Sequence, residues 1–195
     1  MEDIISVLAE QYHKQISIPL DKPKHQFILC PVGLVGAGKT TVVKPLSEQL
    51  SLIRISGDDI RKLLKNAGHN YDKVQDISTI VTTKYLDQGY SICNDNDCVT
   101  EKTQKIMVDH AKKYGLKIVW IHINPPEEFI LNKLSNLKPN WLGTAEQMIE
   151  NYYQRKPLHE NLNFPFVYTF DTSKADLSRQ IDEATKIIKR FTDNN

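Results

Sequence analysis

The sequence predicts a three-layer α/β fold, in which a parallel sheet of five strands is covered by helices on both faces. Three observations carry this expectation. Five short apolar runs alternate with stretches of helical periodicity, and parallel neighbours require a crossover that a helix usually provides. The first run ends in a glycine-rich turn directly before a helical stretch, at the strand end where such sheets gather ligands. The 195 residues are enough to close one core without disulfides or metals.

In chain order, a helix is predicted over residues 1–14, with Ile4, Leu8 and Tyr12 at helical spacing, and residues 17–24 form a polar, proline-containing connection. We read residues 1–24 as a helix and connection appended to a domain over residues 25–195. Residues 27–32 (FILCPV) make the first strand, residues 39–50 a helix and residues 52–56 the second strand. A helix over residues 58–66 holds Asp58 and Asp59 in its first turn, where the helix dipole favours acids. Another helix covers residues 74–88. The third strand is predicted at 90–95 and a helix at 100–114. After Gly115 comes the β-branched fourth strand at 116–123 (LKIVWIHI). Helices over 127–137 and 144–153 flank a Pro-Asn-Trp-Leu-Gly loop, within a lid at about residues 127–160. The fifth strand is 166–170, and the last helix is amphipathic through Leu177, Ile181, Ala184, Ile188 and Phe191.

Charge is balanced, with 25 Lys+Arg against 24 Asp+Glu, which excludes a global field for nucleic acid or membrane but leaves room for a local basic groove. Cys30, Cys93 and Cys98 are an odd set in a chain that needs no staples, and we read them as reduced thiols in or near the core. The start of the chain has acids before its apolar residues, and no run approaches the roughly 18 apolar residues of a membrane span. The expectation is a cytoplasmic protein with no membrane partner. The six histidines are scattered, and Cys93 and Cys98 lack the further ligands of a zinc site.

Gly33, Leu34, Val35, Gly36, Ala37, Gly38, Lys39 and Thr40 satisfy G-x-x-x-x-G-K-[ST] between an apolar strand and a helix start, the context this phosphate loop requires. The glycines let successive backbone N–H groups turn inward around phosphate oxygens, and the helix N-terminus adds positive potential. With Thr41, these residues are the predicted ATP-binding set. Lys39 meets the β- and γ-phosphates, and the Thr40 hydroxyl binds Mg²⁺. A dinucleotide fingerprint fits less well, because Thr41 stands where its third glycine belongs. Asn132-Lys133-Leu134-Ser135 lacks the acid of a guanine-reading motif, so ATP is preferred over GTP.

With this loop, with the segment Ile55-Ser-Gly-Asp58-Asp59-Ile-Arg61, with a strand ending in Asp95 before Asn96-Asp97, and with Asp171-Thr-Ser after the last strand, the chain resembles the small P-loop kinases. The resemblance covers residues 27–191 and is strongest to the polynucleotide-kinase-like group, which includes zeta-toxin-like and antibiotic-phosphorylating enzymes. It implies the P-loop NTPase fold, Mg·ATP as phosphoryl donor, Asp58 as general base on an acceptor hydroxyl, and Arg61 on a substrate phosphate. It also implies that Asp171-Thr-Ser lies along the adenine. Such relatives carry two or more lid arginines, whereas this stretch offers Lys133, Lys138, Arg155 and Lys156.

Asp95, at the carboxyl end of the third strand, is the candidate second acid of the Mg²⁺ site, with Asp97 behind it. The run Asn94-Asp95-Asn96-Asp97 reads equally as a solvated turn. Asp58 has a helix cap as its alternative reading, and Asp171 reads equally as a cap. Arg155, near a helix end that Pro157 would stop, is the candidate charge clamp on the transferring group. The expected function is transfer of the γ-phosphoryl group of Mg·ATP to a hydroxyl of a nucleic-acid end, nucleotide or small metabolite. The alternatives are a non-catalytic ATP-dependent switch with a degenerate lid, and ATP hydrolysis within a larger assembly.

Overall fold

The computed structural model describes residues 4–194, so residues 1–3 of the predicted first helix and Asn195 lie outside the described residues. The elements are α1 (Ile4–His13), β1 (Phe27–Val32), α2 (Lys39–Gln49), β2 (Ile53–Ser56), α3 (Gly57–Asn66), α4 (Val74–Asp87), β3 (Ile92–Asp95), α5 (Glu101–Tyr114), β4 (Lys117–Ile123), α6 (Glu127–Ser135), α7 (Ala145–Arg155), β5 (Phe166–Phe170) and α8 (Leu177–Asp193). A single 3₁₀ turn, Lys156–His159, follows α7. The five strands form one parallel sheet in the order β2-β3-β1-β4-β5. This is the three-layer architecture the alternating pattern predicts.

Alternation along β1 explains the layers. Ile28, Cys30 and Val32 face a core shared with α1, α3, α4 and α5, while Phe27 and Leu29 face a core shared with α2, α7 and α8. Leu8, Ala9 and Tyr12 of α1 are buried in the first of these cores. The Tyr12 hydroxyl accepts a hydrogen bond from the Ser56 N–H (2.8 Å), tying α1 to the end of β2.

Several predicted boundaries move. The third strand starts at Ile92 rather than residue 90, because the Tyr90 N–H still closes the turn after α4 on the Tyr85 carbonyl (3.0 Å). The Tyr90 carbonyl meanwhile takes the Gln26 amide (2.7 Å). Helix α6 ends at Ser135, two residues early. Helix α7 begins with a capping box between Thr144 and Gln147 and runs on to Arg155, two residues beyond the prediction.

Connections leave β1 toward β2 on one side and cross from β3 to β4 on the other. The carboxyl ends of β1 and β3 therefore border the gap where sheets of this kind take ligands.

Candidate active site

The turn after β1 is set by two glycines with left-handed backbone, Gly36 (φ 81°) and Gly38 (φ 92°), a region costly for other residues. Gly38 is also the residue from which α2 starts, so the loop feeds directly into a helix N-terminus. A side chain at Gly38 would press on Thr172, whose hydroxyl donates to the Ala37 carbonyl (2.7 Å) and ties the loop after β5 to this turn. Lys39 Nζ folds back on the turn and donates to the carbonyls of Gly33 (2.7 Å) and Leu34 (3.0 Å). Burial lowers the pKa of its ammonium group, opposed by the nearby Asp97 and Asp95 carboxylates.

Asp95 ends β3 with its side chain 4% exposed. Its Oδ2 is paired with Arg54 Nη1 of β2, and the other arm of that guanidinium reaches Asp59 Oδ2 (2.6 Å). Strand register makes this possible, because Ser56 lies opposite Asp95. Asp95 Oδ1 faces the Thr40 hydroxyl at 3.5 Å. Burial pushes the Asp95 carboxyl up, and Arg54 works against that rise. Burial also disfavours the Arg54 charge, but Asp95 and Asp59 outweigh it and raise its pKa.

Thr40 and Asp95 offer two hard oxygens to one small space, the kind of donors that suit a Mg²⁺ ion keeping several waters. Among the described residues no group of three or more His, Cys, Asp or Glu could enclose a metal, and a Mg²⁺ ion shared with a triphosphate needs none.

Asp97 is held from a different direction. Its Oδ2 accepts from Arg155 Nη2 (3.0 Å) and lies 3.0 Å from His159 Nε2, and its Oδ1 accepts from the Gly33 N–H (3.4 Å). Burial pushes this carboxyl up, but His159, Lys39 and Arg155 together hold it below the ordinary range. Asn94 and Asp95 are buried, so the solvated-turn reading of residues 94–97 does not hold.

Helix α3 is capped by Ser56, whose side chain accepts from the Asp59 N–H (3.2 Å), so Asp58 is not the cap. Asp58 is exposed and its Oδ1 is paired with Arg61 Nη1 (2.8 Å), one turn along the helix. Asp171 likewise caps no helix. Its Oδ1 takes the Ser173 N–H (3.0 Å) and hydroxyl (2.6 Å) in a local turn, and α8 begins only at Leu177.

One cleft of about 740 Å³ is lined by Val35, Lys39, Thr40, Asp58, Arg61, Asp95, Asp97 and Arg155, so the sequence-selected residues converge. Lys133 and Lys138, the other lid cations weighed from the sequence, are exposed and lie outside its lining. Thr41 sits exposed on α2, also outside it. Lys156 pairs with Glu127 (2.7 Å) away from the cleft. Sequence reading missed Arg54, Lys102 and His159. Arg54 left a signal, as the one charge in a strand that is otherwise Ile, Ile and Ser.

The three thiols are free and buried. His122 stacks on Phe166 at 4.6 Å between ring centres, a packing role. No helix among the described residues is long and apolar enough to cross a membrane.

A glycine loop feeding a helix N-terminus at the centre of a parallel sheet, with an acid on the neighbouring strand, defines a P-loop nucleotide-binding domain of kinase-like architecture. The family model described as AAA domain matches residues 28–138, more than half of the chain, and the chain belongs to that family. No curated protein sequence matches significantly. Among solved structures, the fold is similar to the Mycobacterium tuberculosis APS kinase in complex with AMPPNP and APS. That match has a TM-score of 0.58 at 14% identity and covers 86% of this chain and 99% of that one. A gluconokinase from Sinorhizobium meliloti gives a TM-score of 0.58 at 14% identity, covering 89% and 97%. A structure of the PezAT chromosomal toxin-antitoxin system of Streptococcus pneumoniae gives 0.60 at 14% identity, covering 100% and 98%. At these identities the likeness speaks for the fold.

Proposed function

We propose that this protein is a Mg·ATP-dependent phosphotransferase that moves the γ-phosphoryl group to a hydroxyl of a second substrate. The observation that carries this reading is the convergence of Lys39 and Thr40, Asp58, and Arg155 on one cleft, coming from the phosphate loop, from α3 and from the lid. A switch that only binds nucleotide has no need of an exposed carboxylate lining the same cleft as the phosphate loop.

In the proposed reaction, the loop N–H groups and Lys39 hold the triphosphate, with Lys39 exchanging the carbonyls of Gly33 and Leu34 for phosphate oxygens. Arg54 keeps Asp95 Oδ2 occupied, so Oδ1 is presented beside the Thr40 hydroxyl. Thr40 and Asp95 would hold Mg²⁺ there, and the ion would supply charge neutralisation to the triphosphate. Asp58 accepts the proton of the acceptor hydroxyl as its oxygen bonds to the γ-phosphorus. The bond from that phosphorus to the β,γ-bridging oxygen breaks, and ADP leaves. Arg155 spreads charge from the transferring group through its guanidinium fork.

The test is transfer of label from γ-radiolabelled ATP across an acceptor panel by the parent chain and by Asp58→Asn. We expect the variant to lose roughly 10²-fold or more in transfer with an unchanged melting temperature, since Ser56 caps the helix. Tight ATP binding by a parent chain that phosphorylates nothing would instead support the switch.

A further inference from the structure

The lining of the cleft has a composition that narrows the second substrate, given the phosphotransferase reading above. The lining holds as many carboxylates (Asp58, Asp72, Asp95, Asp97) as cations (Lys39, Arg61, Lys102, Arg155). Three of the four cations are already engaged: Lys39 on the loop carbonyls, Arg61 on Asp58 and Arg155 on Asp97. Lys102, exposed on the first turn of α5, has neither ion pair nor hydrogen bond among the described residues. The hydroxyls of Tyr71 and Ser78 and the amide of Asn151 line the same cleft and are likewise without a hydrogen-bond partner among those residues. Tyr71 and Trp141 add aromatic surface.

We infer that the acceptor is a small hydroxylated molecule bearing one anionic group, a carboxylate or a phosphate, and is not the end of a nucleic-acid strand. A strand presents a phosphate at every nucleotide and is held by several cations along a basic stripe. In this lining there is a single unengaged cation, Lys102, and an acidic Asp72 shares it. One ammonium group suits one anion. The uncharged hydroxyl and amide groups suit the hydroxyls of a small ligand, because they exchange water for substrate without leaving a buried charge. Aromatic faces cover the C–H surface of such a ligand.

The experiment measures transfer from γ-radiolabelled ATP by the full chain to five acceptor sets: sugar acids, sugar phosphates, nucleoside monophosphates, neutral sugars and nucleosides, and a 5′-hydroxyl oligothymidylate. Melting temperature in the presence of AMPPNP and each acceptor is read in parallel. We expect one of the three sets whose members carry one anionic group to be both phosphorylated and stabilising, and the result separates a carboxylate from a phosphate. Lys102→Met should raise the acceptor KM about 10- to 100-fold, the loss of one charge-assisted contact, while the KM for ATP moves less than twofold. Preference for the oligonucleotide, or equal use of neutral acceptors with no response to Lys102→Met, overturns the inference and leaves the phosphotransferase intact. No transfer to any set by a chain that binds ATP overturns the phosphotransferase reading, and this inference with it.

Discussion

Asp95 and Asp97 stand two residues apart, and each is clamped by an arginine, but from a different element. Arg54 reaches Asp95 from the adjacent strand β2, so that clamp is part of the sheet. Arg155 reaches Asp97 from the end of α7, so that clamp joins the sheet to the lid, and His159 in the following turn shares the load. In the first case the arginine side chain is 22% exposed and has two acidic partners, while in the second it is 32% exposed with one. An arginine with two partners on a rigid strand orients a carboxylate. An arginine with one, on a helix end, can be released, and His159 and the Gly33 N–H still satisfy the Asp97 it leaves.

That contrast can be broken in several places. The largest effect is expected for Lys39→Ala, because both clamps matter only if a triphosphate lies between them. Mg·ATP turnover should fall to background, and an unchanged turnover and ATP affinity would remove the basis for the whole site. Next comes the pair of carboxylates. Asp95→Asn should reduce turnover by about 10²-fold and demand more Mg²⁺, measured as the half-saturating concentration. Asp97→Asn should cost about tenfold with little change in Mg²⁺ demand. Equal Mg²⁺ responses would mean that the two acids are not divided as their partners imply.

Arg155→Lys keeps the charge and loses the fork, so turnover should fall about tenfold or more while ATP affinity changes little. The double change of Lys133 and Lys138 to Met is the control, and since both side chains lie outside the cleft we expect no effect on turnover. The smallest effect belongs to Arg54→Lys. It should raise the half-saturating Mg²⁺ concentration severalfold and leave ATP binding without Mg²⁺ as it was, which calorimetry can read. A loss of metal-free binding would assign Arg54 a structural part instead.

The sequence carried the layers and the loop because both are local. Strand-length apolar runs fix the sheet, and the residues Gly33 to Thr40 need only their own neighbours to form a phosphate cradle. Asp58, Asp95 and Arg155 lie in separate segments of the sequence, and the fold brings them to one cleft. What stayed hidden was pairing over distance. Arg54 meets Asp95 across 41 positions and His159 meets Asp97 across 62, and no periodicity encodes such a meeting. The helix cap failed for a different reason: Ser56, Asp58 and Asp59 are all good caps by type, and only the backbone geometry at Ser56 decides among them.

The bond between Tyr12 and Ser56 bears on where the chain can be cut. A fragment trimmed to begin at Phe27 would retain every phosphate-binding residue, yet Ser56, which starts the helix that carries Asp58, would lose the hydroxyl that holds its N–H. Helices α3 and α4, on which α1 packs, would also lose the apolar cover of Leu8 and Ala9. Such a fragment would keep its grip on nucleotide while loosening the helix that presents the base, so binding and transfer would part company at the N-terminal segment.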